Sequence, residues 1–187
     1  IGMDSGINTW TISEFDVADA DVRLDGDDDG VVSNSSTSIQ FVDFFTLQGS
    51  DSVADQFVLE ASGAISGTMI GGTDANDQIT GANDSNYWTL TAALAGNVDG
   101  SDFSEMDSIV GGSADDTLLG RSQENNWEIN AANAGYVEGA DASDRMGFSA
   151  IENLDGNSSP DHFVFTSTGT LSGIIDGSAG TDGAGDS

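Results

Sequence analysis

The chain has 187 residues, with 33 acidic side chains against three basic ones (Arg23, Arg121 and Arg145) and a formal net charge of −30 at pH 7. That sign excludes nucleic acid as a partner and argues against membrane insertion, and the apolar runs fall well short of the ~20 residues a membrane-spanning helix needs. The absence of cysteine excludes disulfides and thiolate metal sites, whereas 37% hydrophobic residues with regularly placed Trp, Phe, Ile and Val indicate a folded chain.

The opening Ile1-Gly-Met-Asp-Ser-Gly has neither the charged nor the apolar region of a leader, so the chain reads as a segment of something longer or a mature product. Asn8-Thr-Trp10-Thr-Ile12 is the first strand signal, short, β-branched and aromatic. An irregular insertion follows between 13 and 40. It contains Asp25-Gly-Asp27-Asp-Asp29-Gly30, which matches the Asp-x-Asp-x-Asp-Gly opening of a calcium loop, with alternate carboxylates converging and Gly30 making the bend. Ser33 and Ser36 stand at the ninth and twelfth positions, so an EF-hand is excluded, and calcium held with help from elsewhere is favoured over a solvated acidic loop.

Next comes Phe41-x-x-Phe44-x-x-Leu47-x-Gly49, which recurs as Phe103-x-x-Met106-x-x-Ile109-x-Gly111 and Phe148-x-x-Ile151-x-x-Leu154-x-Gly156. The three-residue spacing suggests an irregular or single-turn element, as does Ala92-Ala-Leu-Ala95. The stretch Asp55-Gln-Phe-Val-Leu-Glu-Ala-Ser-Gly-Ala-Ile-Ser-Gly-Thr-Met69 then matches 161–175 without a gap at a shift of 106 residues. It reads as a strand, a Ser-Gly corner where the chain rounds a coil, a second strand and an Asp-bearing turn.

Asn86-Tyr-Trp88-Thr-Leu90 and Asn125-Asn-Trp127-Glu-Ile129 repeat the first motif, 78 and 117 residues after it, and between them a 39-residue shift superposes most of 86–104 on 125–143. That is internal duplication. The tryptophans read as a stacked core ladder in preference to sugar platforms, and Asn8, Asn86 and Asn125 as an asparagine ladder at a turn. His162 replaces Gln56 in the duplicated unit, which argues against a catalytic base there.

Asp55, Asp77, Asp116, Asp161 and Asp182 each end a Gly-to-Asp loop and lie 22, 39, 45 and 21 residues apart, suggesting coils of about 20 to 22 residues. Gly111-Gly-Ser-Ala-Asp-Asp116-Thr-Leu118, Gly71-Gly-Thr-Asp-Ala-Asn-Asp77-Gln-Ile79 and Gly177-Ser-Ala-Gly-Thr-Asp182 approach the nonapeptide Gly-Gly-x-Gly-x-Asp-x-apolar-x. In these loops the chain resembles the repeats-in-toxin class of calcium-binding β-rolls, and more broadly the giant tandem-repeat surface proteins and adhesins of marine bacteria. The resemblance implies calcium ligands at Asp77, Asp116 and Asp182; the residues alone leave an Asx hydrogen bond that caps the turn equally open.

The expectation is therefore one all-β domain over 1–187, a right-handed parallel β-helix or β-solenoid with rungs of about 20 residues. Its metal ligands would be Asp25, Asp27, Asp29, Asp77, Asp116 and Asp182, its cofactor Ca2+, and its location the extracellular or bacterial cell-surface space. The expected role is a non-enzymatic structural or adhesive repeat, with copies of itself head-to-tail in a filament or tandem array, and surface polysaccharide as a further partner. The alternatives are a carbohydrate-binding β-helix and a polysaccharide-cleaving one, the latter poorly served by three scattered arginines.

Overall fold

The structure is a computed structural model that describes residues 8–12, 30–33, 38–41, 46–49, 51, 54–61, 63–73 and 76–177. Runs in which apolar residues alternate with polar ones become strands with one buried face: in Gln56-Phe-Val-Leu59, Phe57 and Leu59 point inward and Val58 outward. Taken in order, β1 (Asn8–Ile12), β2 (Gly30–Ser33) and β3 (Ser38–Phe41) form an antiparallel meander in a first sheet. The chain then passes to a second sheet at β4 (Thr46–Gln48), back at β5 (Asp55–Leu59), across at β6 (Thr68–Ile70) and back at β7 (Gln78–Thr80).

A second meander, β8 (Tyr87–Ala92), β9 (Ala95–Val98) and β10 (Ser101–Ser104), lies in the second sheet, followed by β11 (Ser108–Val110) in the first and β12 (Thr117–Leu119) in the second. The third meander, β13 (Asn126–Ala131), β14 (Ala134–Glu138) and β15 (Met146–Ser149), is again in the first sheet. It leads to β16 (Asn153–Asp155) in the second sheet, β17 (His162–Phe165) in the first and β18 (Ile175–Asp176) in the second.

The protein is all-β, with two open, mixed sheets. The first runs β17-β13-β14-β15-β11-β7-β5-β1-β2-β3 and the second β18-β16-β12-β8-β9-β10-β6-β4. Neighbours that belong to different passes of the chain are parallel, and those inside a meander are antiparallel. The expected spacing of 20 to 22 residues holds where no meander intervenes, as between Leu47 and Met69, Phe57 and Ile79, and Leu154 and Ile175. A meander stretches it, so that Ile79 pairs with Ile109 and Ile109 with Phe148.

The core lies between the sheets: Phe57, Ile79, Ile109, Trp127 and Phe148 enter it from the first, Leu47, Met69, Trp88, Phe103, Leu118 and Leu154 from the second. The recurring Phe-x-x-apolar-x-x-apolar patch is not a helical turn. Phe103 and Phe148 end meanders, Met106 and Ile151 fill the crossing, and Ile109 and Leu154 open the next strand in the opposite sheet. The short crossing bends through left-handed backbone at Glu105 (φ 55°) and Ala150 (φ 51°).

The 39-residue duplication transfers the motif from one sheet to the other, since Trp88 belongs to the second and Trp127 to the first. The two indoles are therefore core residues without being one continuous stack. Trp88 packs edge-on against Phe103 (6.1 Å between ring centres), and Trp127 edge-on against Phe148 (6.1 Å) and face-on against Phe163 (5.5 Å). Trp10 begins the same motif in β1. The Ser-Gly corner does carry the chain from one sheet to the other, between β5 and β6. Of the insertion expected between 13 and 40, residues 30–33 and 38–40 lie in β2 and β3, and 13–29 and 34–37 lie outside the described residues.

Candidate functional site: buried carboxylates at the sheet crossings

Six crossings run from a glycine to an Asp or Asn at the start of the next strand: Gly49 to Asp55, Gly71 to Asp77, Gly81 to Asn86, Gly111 to Asp116, Gly120 to Asn125 and Gly156 to Asp161. Asp55, Asp77, Asp116 and Asp161 are buried there, as are Asn86 and Asn125. A carboxylate denied water needs donors, and each of three finds them on the neighbouring pass of the chain. Asp77 Oδ1 accepts the backbone N–H of Asp55 (2.7 Å), Asp116 Oδ1 that of Asn86 (2.7 Å), and Asp161 Oδ1 that of Asn125 (2.7 Å).

The asparagines strengthen the second and third links. Asn86 Nδ2 donates to Asp116 Oδ1 (2.7 Å) and Asn125 Nδ2 to Asp161 Oδ1 (2.8 Å), while the same amides bind carbonyls of their own loops, at Ala82 and Asp84 and at Arg121 and Gln123. The ladder is thus Asn on Asp, not Asn on Asn. It continues through two carboxylates at short crossings: Asp107 Oδ2 accepts from the backbone of Asn76 (2.6 Å) and Asp77 (2.9 Å), and Glu152 Oε2 from that of Asp116 (2.9 Å).

The loop glycines are required by close approach. A Cβ on Gly111 would lie 2.0 Å from the Ala150 carbonyl oxygen and 2.5 Å from Asp116 Oδ2, and one on Gly71 would lie 2.0 Å from the Glu105 carbonyl oxygen. Burial pushes the Asp116 carboxyl above the usual carboxylate range, with the negative charges of Glu152 and Asp99 acting the same way against the Asn86 hydrogen bonds. Its Oδ2 has no hydrogen-bond partner.

Of the six residues expected to bind calcium, Asp25, Asp27, Asp29 and Asp182 lie outside the described residues. For Asp77 and Asp116, Oδ1 of each accepts a backbone N–H and Asp116 Oδ2 lies close to Gly111, while no three His, Asp or Glu gather as a metal centre among the described residues. Asp55, Asp161, Asp107, Glu152, Asn86 and Asn125 complete the set. For the two asparagines the signal was available in Gly81-Ala-Asn-Asp-Ser-Asn86 and Gly120-Arg-Ser-Gln-Glu-Asn125, five-residue steps like Gly111 to Asp116 with amide in place of acid.

A different chemistry sits behind Asn125. Arg121 is 4% exposed; its Nε donates to Asn125 Oδ1 (3.3 Å), its Nη1 lies 3.9 Å from Asp144 Oδ2, and its Nη2 has no partner. Burial draws the guanidinium pKa down and Asp144 opposes it. Thr91, Ser122, Gln123 and Asp144 join Arg121 around a cavity of about 320 Å³. Trp88 and Trp127, fully buried, offer no stacking platform to a sugar.

Against protein-family models, curated proteins and solved structures the chain has no match. Among the described residues no helix is long and apolar enough to cross a membrane.

Proposed function

We propose that this chain is a non-enzymatic structural or adhesive repeat module of a large extracellular bacterial protein, a β-solenoid interrupted by antiparallel meanders that continues head-to-tail into an array. The observation that carries the reading is the repeated passage between two sheets with parallel neighbours on successive passes. Parallel strands joined by a crossover in one sheet are right-handed in about 98% of cases, which favours a right-handed coil. The buried acids support a scaffold role, because Asp77, Asp116 and Asp161 each use Oδ1 to join one pass to the next. The extracellular setting rests on the resemblance of the Gly-to-Asp loops to surface-protein repeats.

Calcium enters this reading through the 25–30 loop, with the net charge of −30 as its driving force. Thermal melting in calcium and in chelator tests it. A site saturated a hundredfold above its Kd stabilises by about 2.7 kcal/mol, or roughly 5–10 °C for a chain of this size. Asp27→Asn should abolish that difference and Asp77→Asn should preserve it; an unchanged midpoint in the unaltered protein removes calcium from the reading.

The Arg121 cavity favours a second reading, a carbohydrate-binding module, since a buried unpaired donor beside hydroxyl, amide and carboxylate groups suits a sugar's hydroxyls. A glycan array separates the two. Binding that is lost in Arg121→Met would replace the passive module by this one.

A further inference from the structure

The duplicated unit occurs once inside the molecule and once at its end, and the same inward-facing positions differ in what covers them. Leu59 is 4% exposed and Met69 0%, whereas their counterparts Phe165 and Ile175 are 48% and 36% exposed. Outward-facing Val164 and Ile174 add 52% and 67%. The first copy is covered because β7 pairs with β5 and β10 with β6. The second lies at the margin, for β17 ends the first sheet and β18 the second.

The molecule contains the arrangement that would cover such an end. After the single strands β11 and β12, the third meander returns so that β15 lies parallel on β11 with Phe148 opposite Ile109, and β16 lies parallel on β12 with Leu154 opposite Leu118. At the other end of the molecule, β3 is likewise the third strand of a meander and the margin of the first sheet, and β4 follows it as the margin of the second. Two antiparallel steps, β3 to β2 and β2 to β1, bring β3 parallel to β5 and hence to the other single strands. Phe41 and Leu47 occupy the places of Phe148 and Leu154 in the recurring patch.

We infer that the β17–β18 end is a docking surface for the β3–β4 end of a second copy of this chain. The copy's β3 adds in parallel to β17 with Phe41 opposite Phe163, and its β4 to β18 with Leu47 opposite Ile175. The inference rests on the head-to-tail reading above and gives it a surface and a register. Both inward-facing columns then run on without a break, Trp127 to Phe163 to Phe41 in one sheet and Leu154 to Ile175 to Leu47 in the other. Phe41 and Leu47 are already buried within their own end, so the apolar surface withdrawn from water comes from Ile175 and Ile174, opposite Leu47 and Thr46 of the incoming copy. Two different ends meet, so the contact propagates into a filament instead of closing a dimer. Two copies of charge −30 repel, and moderate salt favours the contact.

Sedimentation velocity of the unaltered chain over a concentration series at moderate salt reads association, and cysteine pairing reads register. In the proposed register Thr46 of one copy faces Ile174 of the next, both on the outer face. Neighbouring strands, about 4.8 Å apart, fall within the Cα separation a disulfide accepts. Because the chain has no cysteine of its own, mixing Thr46→Cys with Ile174→Cys under mild oxidation should give a cross-linked dimer. Its yield should exceed by tenfold or more that from Gln48→Cys with Ile174→Cys, which is two residues out of register. Association without preferential cross-linking would overturn the register and leave the head-to-tail reading standing; a monomer at every concentration would overturn both. Ile174→Asp, at an exposed position that leaves the fold intact by circular dichroism, should weaken association at least tenfold, and unchanged association would also overturn the docking surface.

Discussion

Asp116 shows what one buried carboxylate does here. It takes the backbone and side-chain donors of Asn86 on Oδ1 and receives nothing on Oδ2. Removing it in Asp116→Ala would strand the buried backbone N–H of Asn86, whose side-chain amide keeps the carbonyls of Ala82, Asp84 and Gly111, at an expected cost of about 1–3 kcal/mol in urea denaturation. Asp116→Asn retains an acceptor without the charge and should be close to neutral at pH 7. Its pH dependence separates these effects. Because the folded carboxyl titrates above its unfolded value of 3.8, the folded state binds the proton first as pH falls. Stability contributed by this group therefore rises as pH drops through the raised value toward 3.8 and is flat below it. Denaturation midpoints across that window should rise in the unaltered protein more than in Asp116→Asn; parallel curves would remove Asp116 as the source.

The meander is the element that sets this fold apart from a plain coil. The second and third meanders use left-handed backbone at matching places, Leu94 and Asn133 in the first hairpin and Glu105 and Ala150 at the crossing that follows, with φ of 51–55°. None of these is glycine, so each carries strain that a Cβ imposes. Ala150→Gly should relieve it and stabilise the protein by about 0.5–1 kcal/mol, raising the melting midpoint by roughly 2–3 °C. Gly111→Ala, which drives a Cβ into the Ala150 carbonyl, should do the reverse by several degrees. The strands of the meanders were legible as recurring Trp and Phe motifs, but their antiparallel pairing was not. Alternation of apolar and polar residues is the same in both kinds of pair, and Ala93-Leu94 lacks the Asn-Gly or Asp-Gly of a two-residue hairpin.

At the scale of the molecule, protection depends on having a pass of chain on either side. β7, β11 and β12 lie between neighbours in their sheets, whereas β17 and β18 end theirs with apolar side chains in water. Amide hydrogen exchange should therefore be slowest at Ile79, Ile109 and Leu118 and fastest at Val164 and Ile175. At concentrations where copies associate, protection should appear selectively at β17 and β18. Uniform exchange along the chain would show that the passes do not open from that end.

Residue type and spacing were enough for the β class, the duplication at 39 and 106 residues, the burial of Trp88 and Trp127 and the crossing at the Ser-Gly corner. These are local or periodic properties, carried by residue type and spacing. What needed the folded chain was that alternate copies of the Trp motif fall in opposite sheets, that Asn86 and Asn125 belong with the loop aspartates, and that Asp77 and Asp116 each give one oxygen to a backbone N–H of the neighbouring pass. Each of these depends on which passes of the chain become neighbours. An aspartate at the end of a glycine turn can serve a cation or an amide equally well, and the backbone donors that Asp77, Asp116 and Asp161 meet come from 22 to 36 residues away in the chain, where local sequence carries no sign of them.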